Sequence, residues 1–264
     1  MDLGLDDKIA WVVGASSGLG LASAWSLARE GTTVAISARR LEDLKRHAGD
    51  IERETGSRCL PLELDVTDPS AIEEVGRAVC RELGGIDICV ANAGGPTPGT
   101  FGDLGEDQLR AAFDLTTASA WRLAKVATNS MQARQGGAMI FITSGSVKEP
   151  IANLMLSNMM RPAVVGLAKT LSKELGPQGI RVVCVAPGRI QTDRVAALDR
   201  LAAENSGRTA EDVAEASRGS IPLGRYGDPA EFGDVVAFVA SERASYMTGN
   251  TVVVDGGALR GLLT

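Results

Sequence analysis

The sequence predicts a doubly wound α/β fold: a parallel sheet of about seven strands in three layers, with helices on both faces. Three observations predict it. Short apolar, β-branched runs alternate with longer amphipathic segments along the whole chain. The runs mostly lack polar alternation, as strands buried on both faces of a parallel sheet do. The first run also opens directly into a glycine-rich turn and then a helical pattern.

The elements follow in order. IAWVV (9–13) reads as the first strand and 18–30 as the helix after it. TVAIS (33–37) precedes a helix over 41–55, and CLPLEL (59–64) precedes one over 69–83. IDICVA (86–91) leads to a long helix over 105–133, and AMIFIT (138–143) to one over 152–175. IRVVCVA (180–186), a helix over 229–241 and TVVVD (251–255) complete the pattern. These strands use up the chain, so residues 1–264 read as one domain without an internal repeat. Residues 190–222 break the rhythm, with two short polar helices around Asn205-Ser206-Gly207 and no strand. An insertion after a strand's carboxyl end is where a substrate lid belongs. The alternative is a solvated helical hairpin that touches no ligand.

The 264 residues are 44% hydrophobic and 23% charged, as in an ordinary globular protein. Lys+Arg is 27 and Asp+Glu is 33, a net charge of −6, which argues against nucleic acid as a partner. No stretch approaches the roughly 20 apolar residues of a membrane span. The N-terminus opens with acidic residues, unlike a signal or transit peptide, so a cytoplasmic location is expected. Cys59, Cys80, Cys89 and Cys184 are far apart and form no CxxC pair, and His47 is the only histidine. No metal site is expected, and the thiols read as reduced, buried small hydrophobes. His47, on the helix after the second strand, reads as a surface residue.

Gly14-Ala15-Ser16-Ser17-Gly18-Leu19-Gly20 joins the first strand to the first helix. Glycines there let backbone N–H groups approach a pyrophosphate, and the helix N-terminus adds partial positive charge. The spacing is G-x-x-x-G-x-G rather than the general G-x-G-x-x-G. Asp65-Val66 follows the third strand, Asn92-Ala93-Gly94 the fourth, Ser144 the fifth and Pro187-Gly188 the sixth, with Asp255-Gly256-Gly257 near the end. With these motifs in this order, nearly the whole chain resembles the short-chain dehydrogenase/reductases, in their single-domain Rossmann-fold branch. It looks most like the 3-oxoacyl-carrier-protein reductase group.

The resemblance implies a nicotinamide cofactor bound by the 14–20 loop. Asp65 would accept an adenine amino hydrogen beside Val66, although Asp65 also reads as a cap for the helix at Pro69, a role that suits Asp68 better. Asn92, Ala93 and Gly94 would keep side chains small beside the nicotinamide ribose; otherwise they form a plain turn. Pro187, Gly188 and Ile190 would pass the nicotinamide ring, and Thr192 would contact its carboxamide. The family's threonine before the first loop glycine is Val13 here. The second strand ends Ala38-Arg39-Arg40, where NAD-preferring members carry an acidic residue. A guanidinium there can hold a 2′-phosphate, so NADP is expected over NAD, with Arg39 placed better than Arg40. The alternative is a basic helix-start pair without a ligand.

The family's chemistry implies a serine, a tyrosine, a lysine four residues after it, and an asparagine that holds a relay water. Ser144 supplies the serine. Thirteen residues on, the tyrosine place holds Ser157, the lysine place holds Arg161, and Phe113-Asp114-Leu115-Thr116 puts Thr116 at the asparagine place. Ser157 and Arg161 share a helix face at i, i+4. Arg161 can bond a ribose but will not deprotonate, and Ser157 is a poor general acid. Lys148 and Ser146 are further candidates near the substrate, Lys148 as a proton donor. Tyr226 and Tyr246 lie in the C-terminal segment, with structural roles in the family. The pocket would be lined from 94–100, 145–155 and 190–215, including Pro96, Pro98, Ile151, Leu154 and Met155. It reads as fairly apolar, with no clamp for an acidic ligand.

Three readings stay open. The first is an NADP-dependent oxidoreductase of a carbonyl or alcohol with an altered proton path. The second is a non-catalytic NADP-binding protein, a sensor or inactive subunit. The third is an enzyme that reduces an activated double bond. The helix 152–175, with Leu167 and Leu171, and Tyr246-Met247-Thr248-Gly249 resemble the family's interface elements, so a homotetramer is expected.

Overall fold

A computed structural model describes residues 2–262. The strands are β1 (Ile9–Val13), β2 (Thr33–Ala38), β3 (Cys59–Glu63), β4 (Ile88–Ala91), β5 (Gly137–Ile142), β6 (Ile180–Pro187) and β7 (Thr251–Val254). They form one sheet in the order β3-β2-β1-β4-β5-β6-β7. Every neighbouring pair is parallel, with Trp11 opposite Ala35 on one side and Cys89 on the other.

Strand alternation sorts the core into two layers. Ala10 and Val12 of β1 face α1 (Gly18–Arg29), α2 (Leu41–Thr55) and α9 (Pro229–Ala240), packing with Leu27, Leu44, Ile51, Phe232 and Val236. Ile9, Trp11 and Val13 face α3 (Pro69–Leu83), α5 (Ser119–Ala133) and α6 (Met155–Leu175), packing with Ile72, Leu123, Met131 and Val164. Trp11 is fully buried, and its indole N–H donates to Ser37 Oγ at 2.9 Å, so no polar atom is stranded there. Burial pushes the Cys59, Cys89 and Cys184 thiols up to about 12, which keeps them protonated and inert. Cys80 differs from expectation in being only half-buried.

Strand order reverses between β1 and β4, so the first βα loop and the loop after β4 diverge and open a crevice at the sheet's carboxyl edge. α3 starts where Asp68 accepts from the Ser70 and Ala71 amides and Pro69 occupies the first helical position. Two elements depart from the sequence reading by more than a residue or two at an end. The helix expected over 105–133 is α4 (Glu106–Ala112), a π-helical turn Phe113–Ala118, and α5. The wider turn at Leu115-Thr116-Thr117 has no signature in hydrophobic spacing, which continues through it. α6 begins at Met155 rather than 152, because Asn153 stands at φ +59 and Leu154 pairs with Gly99.

The segment after β6 forms α7 (Asp193–Ser206) and α8 (Ala210–Gly219), with Gly207 at φ +66 closing α7. It is not a loose hairpin. Asp199 of α7 is 5% exposed and accepts from Arg189 Nη1 at 2.5 Å and from the Tyr226 hydroxyl at 2.9 Å. These bonds fasten α7 to the end of β6 and to the chain entering α9. No helix among the described residues is long and apolar enough to cross a membrane.

Candidate active site

The 14–20 loop lies at the carboxyl end of β1. Gly14 N and Ala15 N donate to Ser37 O at 2.7 and 3.2 Å, pinning the turn to β2. Gly14 sits at φ +68, and a Cβ there would come 2.7 Å from Asn92 Nδ2. Only glycine lets this turn sit against the loop after β4. Asn92 Nδ2 donates to Gly14 O at 3.2 Å, so the two loops brace each other. Ser17 caps α1 without a side-chain hydrogen bond, which leaves the first-turn amides beside Gly18, Leu19 and Gly20 for an anion.

Beyond β2, Arg40 Nη2 donates to Ser16 Oγ at 3.2 Å and lies 3.5 Å from Ser17 Oγ, while its Nε pairs with Asp43 at 2.6 Å. Arg39 is exposed and lies near Asp65. The Thr67 amide and hydroxyl, and more weakly Arg39, hold the Asp65 carboxyl below its ordinary range. Asp65 Oδ1 accepts from both Thr67 donors, whereas Asp68 caps α3. Val66 is half-buried beside them. His47 is half-buried on α2, within 3.5 Å of Arg46.

At the far side of the crevice, Gly188 N donates to Val254 O at 2.9 Å, and a Cβ on Gly188 would run into Asp255. This fixes Pro187-Gly188 against the end of β7. Ile190 is buried and pairs with Gly227. Thr192 Oγ1 caps α7 at Val195 N, and its methyl faces the 14–20 loop, 3.5 Å from where a Gly18 Cβ would stand.

Ser144, Ser157, Arg161 and Thr116 come together between β5, α6 and the π turn. Ser144 Oγ accepts from Ser146 N at 3.2 Å, which leaves its own O–H to donate. Ser157 is 7% exposed, with its hydroxyl 3.2 Å from Ser146 Oγ. Arg161 is also 7% exposed. Its Nη1 donates to Ile142 O at 2.8 Å, and its Nη2 reaches Ala93 O and Gly94 O at 3.4 Å. Burial first, and the nearby Arg194 second, pull its guanidinium down to about 10. Thr116 Oγ1 and Arg161 Nε are both buried without a hydrogen-bond partner. Both residues line a cavity of about 10 Å³ with Asn92, Ser119 and Phe141, a volume that fits one water. Lys148 is exposed just past the turn Gly145–Val147. Tyr246 is fully exposed, and Tyr226 is engaged with Asp199.

Arg194 is the residue sequence reasoning missed. Its Nη2 donates to Pro96 O at 3.0 Å, beside the backbone carbonyls that Arg161 holds. Sequence reasoning placed no cation at this side of the pocket, and the structure places Arg194 there. One sequence feature pointed to it: a cation in the first turn of a helix, where the dipole favours an anion.

A family model described as enoyl-(acyl carrier protein) reductase matches residues 14–258. A dehydrogenase/reductase SDR family member 4 from Oryctolagus cuniculus is 34% identical over 262 residues, covering 96% of this chain and 94% of that protein. This chain belongs to the short-chain dehydrogenase/reductase family. The 3-oxoacyl-[acyl-carrier-protein] reductase FabG of Vibrio cholerae is another such dehydrogenase/reductase, 33% identical over 257 residues, with 97% of this chain and 98% of that protein covered. Among solved structures, L-sorbose reductase from Gluconobacter frateurii, complexed with NADPH and L-sorbose, superposes with a TM-score of 0.94 at 32% identity, covering 99% and 100% of the two chains. The short-chain dehydrogenase/reductase fold expected from the motifs is the one present, and the chain is an oxidoreductase of that family.

Proposed function

We propose that this chain is an NADP-dependent oxidoreductase that interconverts a carbonyl and an alcohol, related in reaction to the 3-oxoacyl-carrier-protein reductases. In it Ser157 and Arg161 stand where the family keeps tyrosine and lysine. One observation carries the reading. The uncapped 14–20 turn, the Arg40–Ser16 pair and the buried Arg161 all border one crevice at the switch point of the sheet. The fit to a phosphate-bearing nucleotide is a matter of this geometry: a turn with no room for a Cβ at Gly14 or Gly20, open helix amides, and guanidinium groups nearby. The NADPH complex of the similar L-sorbose reductase adds support.

Gly14 to Gly20, with Ser16 and Ser17, would hold the phosphates. Arg39 and Arg40 would hold a 2′-phosphate, and Asp65 and Val66 the adenine. Asn92, Ala93, Gly94 and Arg161 would hold the ribose, and Pro187, Gly188, Ile190 and Thr192 the carboxamide. When bound, the cofactor supplies the hydride. Ser144 would donate a hydrogen bond to the substrate oxygen, and the proton that completes the alcohol would come from water by way of the Ser144 and Ser157 hydroxyls. Arg161 keeps its charge at neutral pH, so it stabilises a developing oxyanion without giving up a proton. Ser157, paired with Ser146, offers only a weakly acidic hydroxyl. That pairing favours a second reading, reduction of an activated double bond. There the negative charge develops on an enolate oxygen, which a guanidinium stabilises, and the carbon takes its proton from solvent. Residues 1–264 would form one domain, with 190–222 as the substrate lid. A homotetramer is supported by Phe113, Trp121 and Met159, large apolar side chains left 49%, 51% and 46% exposed on the π turn, α5 and α6.

Fluorescence titration with NADPH and NADH, followed by a panel of carbonyl and enone substrates, tests the reading. NADPH should bind at least about tenfold tighter than NADH, since a guanidinium–phosphate bond contributes about 1.5–3 kcal/mol. Installing Ser157→Tyr with Arg161→Lys should raise carbonyl turnover by about 10²–10⁴-fold. Absence of binding by either cofactor would end the proposal.

A further inference from the structure

The geometry points to an anionic substrate: we infer that Arg194, with Arg161 behind it, binds the carboxylate of a small carboxylic acid that carries the reducible double bond. This rests on the cofactor reading above. The two guanidinium groups fasten on one short loop. Arg161 Nη2 reaches Ala93 O and Gly94 O, and Arg194 Nη2 donates to Pro96 O. Gly95 leaves the space the guanidinium occupies, since a Cβ there would come 2.6 Å from Arg194 Nη2 and 2.9 Å from its Cζ and would push it aside.

The seat is electrostatically unfavourable as it stands. Arg161 is 7% exposed and its Nε has no partner. Neither arginine pairs with a carboxylate among the described residues; burial lowers both guanidinium groups, and the charge of Arg194 lowers Arg161 further. Arg194 is also the second residue of α7, at the positive end of a 14-residue helix. Desolvation, like-charge repulsion and the helix dipole all oppose positive charge here. One anion reverses all three. A planar guanidinium offers a carboxylate two parallel N–H donors, the strongest neutral-pH match for that group.

The phosphates of a nucleotide are the other source of negative charge. They have their own donors in the 14–20 turn, which faces the Thr192 methyl. Arg194 is instead held at Gly95-Pro96, on the loop that continues to Gly99, and Gly99 pairs with Leu154 at the start of α6. Ser157 lies one turn further along that helix, so the loop and the hydroxyl groups share the substrate side. The half-buried Ile151, Leu154 and Met155 beside it suit an apolar tail.

The test uses the full chain saturated with NADPH, titrated calorimetrically with 2-oxooctanoate and trans-2-octenoate and with their primary amides. At least one acid should bind about tenfold or more tighter than its amide. The preference should shrink with added salt and fall to near unity in Arg194→Gln, with Arg194→Lys keeping part of it. Thermal melts of both variants should match the wild type, and NADPH affinity should change less than about threefold. Equal affinity for acid and amide in the NADPH-bound wild type, or no binding of either, overturns the inference alone. If Arg194→Gln weakens NADPH as much as it weakens the acid, the anion is the cofactor's pyrophosphate and the inference fails. If the wild type binds no NADPH, the cofactor reading fails and takes this one with it.

Discussion

Replacing Arg161 by methionine should leave the unliganded protein as stable as before, or more so, while weakening NADPH. In the fold its guanidinium falls well below the ordinary arginine value, to about 10, chiefly through burial and next through Arg194. At about 1.4 kcal/mol per pH unit, holding that charge costs on the order of 3 kcal/mol. The folded value lies below the unfolded one, so the unfolded chain binds more protons between the two. The cost is therefore present in full below pH 10 and fades as pH rises from about 10 toward the ordinary arginine value. At pH 7 all of it applies. Methionine removes it but leaves Ile142 O without its 2.8 Å donor and Ala93 O and Gly94 O without their weaker 3.4 Å contacts, a combined loss of about 1–3 kcal/mol. The side chains are similar in length, so the packing term is small. The net is a gain between zero and about 2 kcal/mol, or a Tm unchanged to about 6 °C higher for a chain of this size. NADPH affinity should fall about tenfold or more as the charged bonds are lost. Calorimetric melts at pH 7 with and without NADPH, plus fluorescence titration, measure both. A drop in the unliganded Tm of more than about 6 °C would refute the reasoning, because removing a well-paired buried cation costs about 3–5 kcal/mol.

Arg40→Ala should raise the NADPH dissociation constant by about 10-fold or more and leave NADH within about twofold, since only the 2′-phosphate loses a partner; equal loss for both cofactors in a fluorescence titration would place Arg40 elsewhere. Asp199→Asn should loosen α7, because the buried carboxylate that joins Arg189 to Tyr226 loses its charge. Stability should drop by about 1–3 kcal/mol, and limited proteolysis should cut within 190–222 several times faster. Trp121→Glu should lower the molar mass seen by light scattering if the exposed face of α5 is an interface; an unchanged mass in both proteins would remove that surface from the assembly.

The fold was legible because its signals are local. Buried β-branched runs, the glycine turn after Val13 and the Pro69 helix start each declare an element from a few neighbouring residues. The positions of Ser144, Ser157 and Arg161 were legible for the same reason, since i, i+4 spacing already places the last two on one helix face. The π turn at Thr116 was not, because one extra residue in a turn leaves the apolar pattern nearly intact.

What the sequence by itself determined is most of the chain's secondary structure, the order of its motifs and the absence of the tyrosine and lysine at Ser157 and Arg161. What only the tertiary structure decided is who meets whom. Arg161 and Arg194 are 33 residues apart in a 264-residue chain, yet they grip neighbouring carbonyls of a loop that neither adjoins in sequence. Asp199 looks like a solvated residue of a polar helix and is instead the buried anchor of α7. Burial and charge coupling depend on distances set by the packing of β4, α6 and α7 around one crevice, and sequence separation carries no trace of those distances.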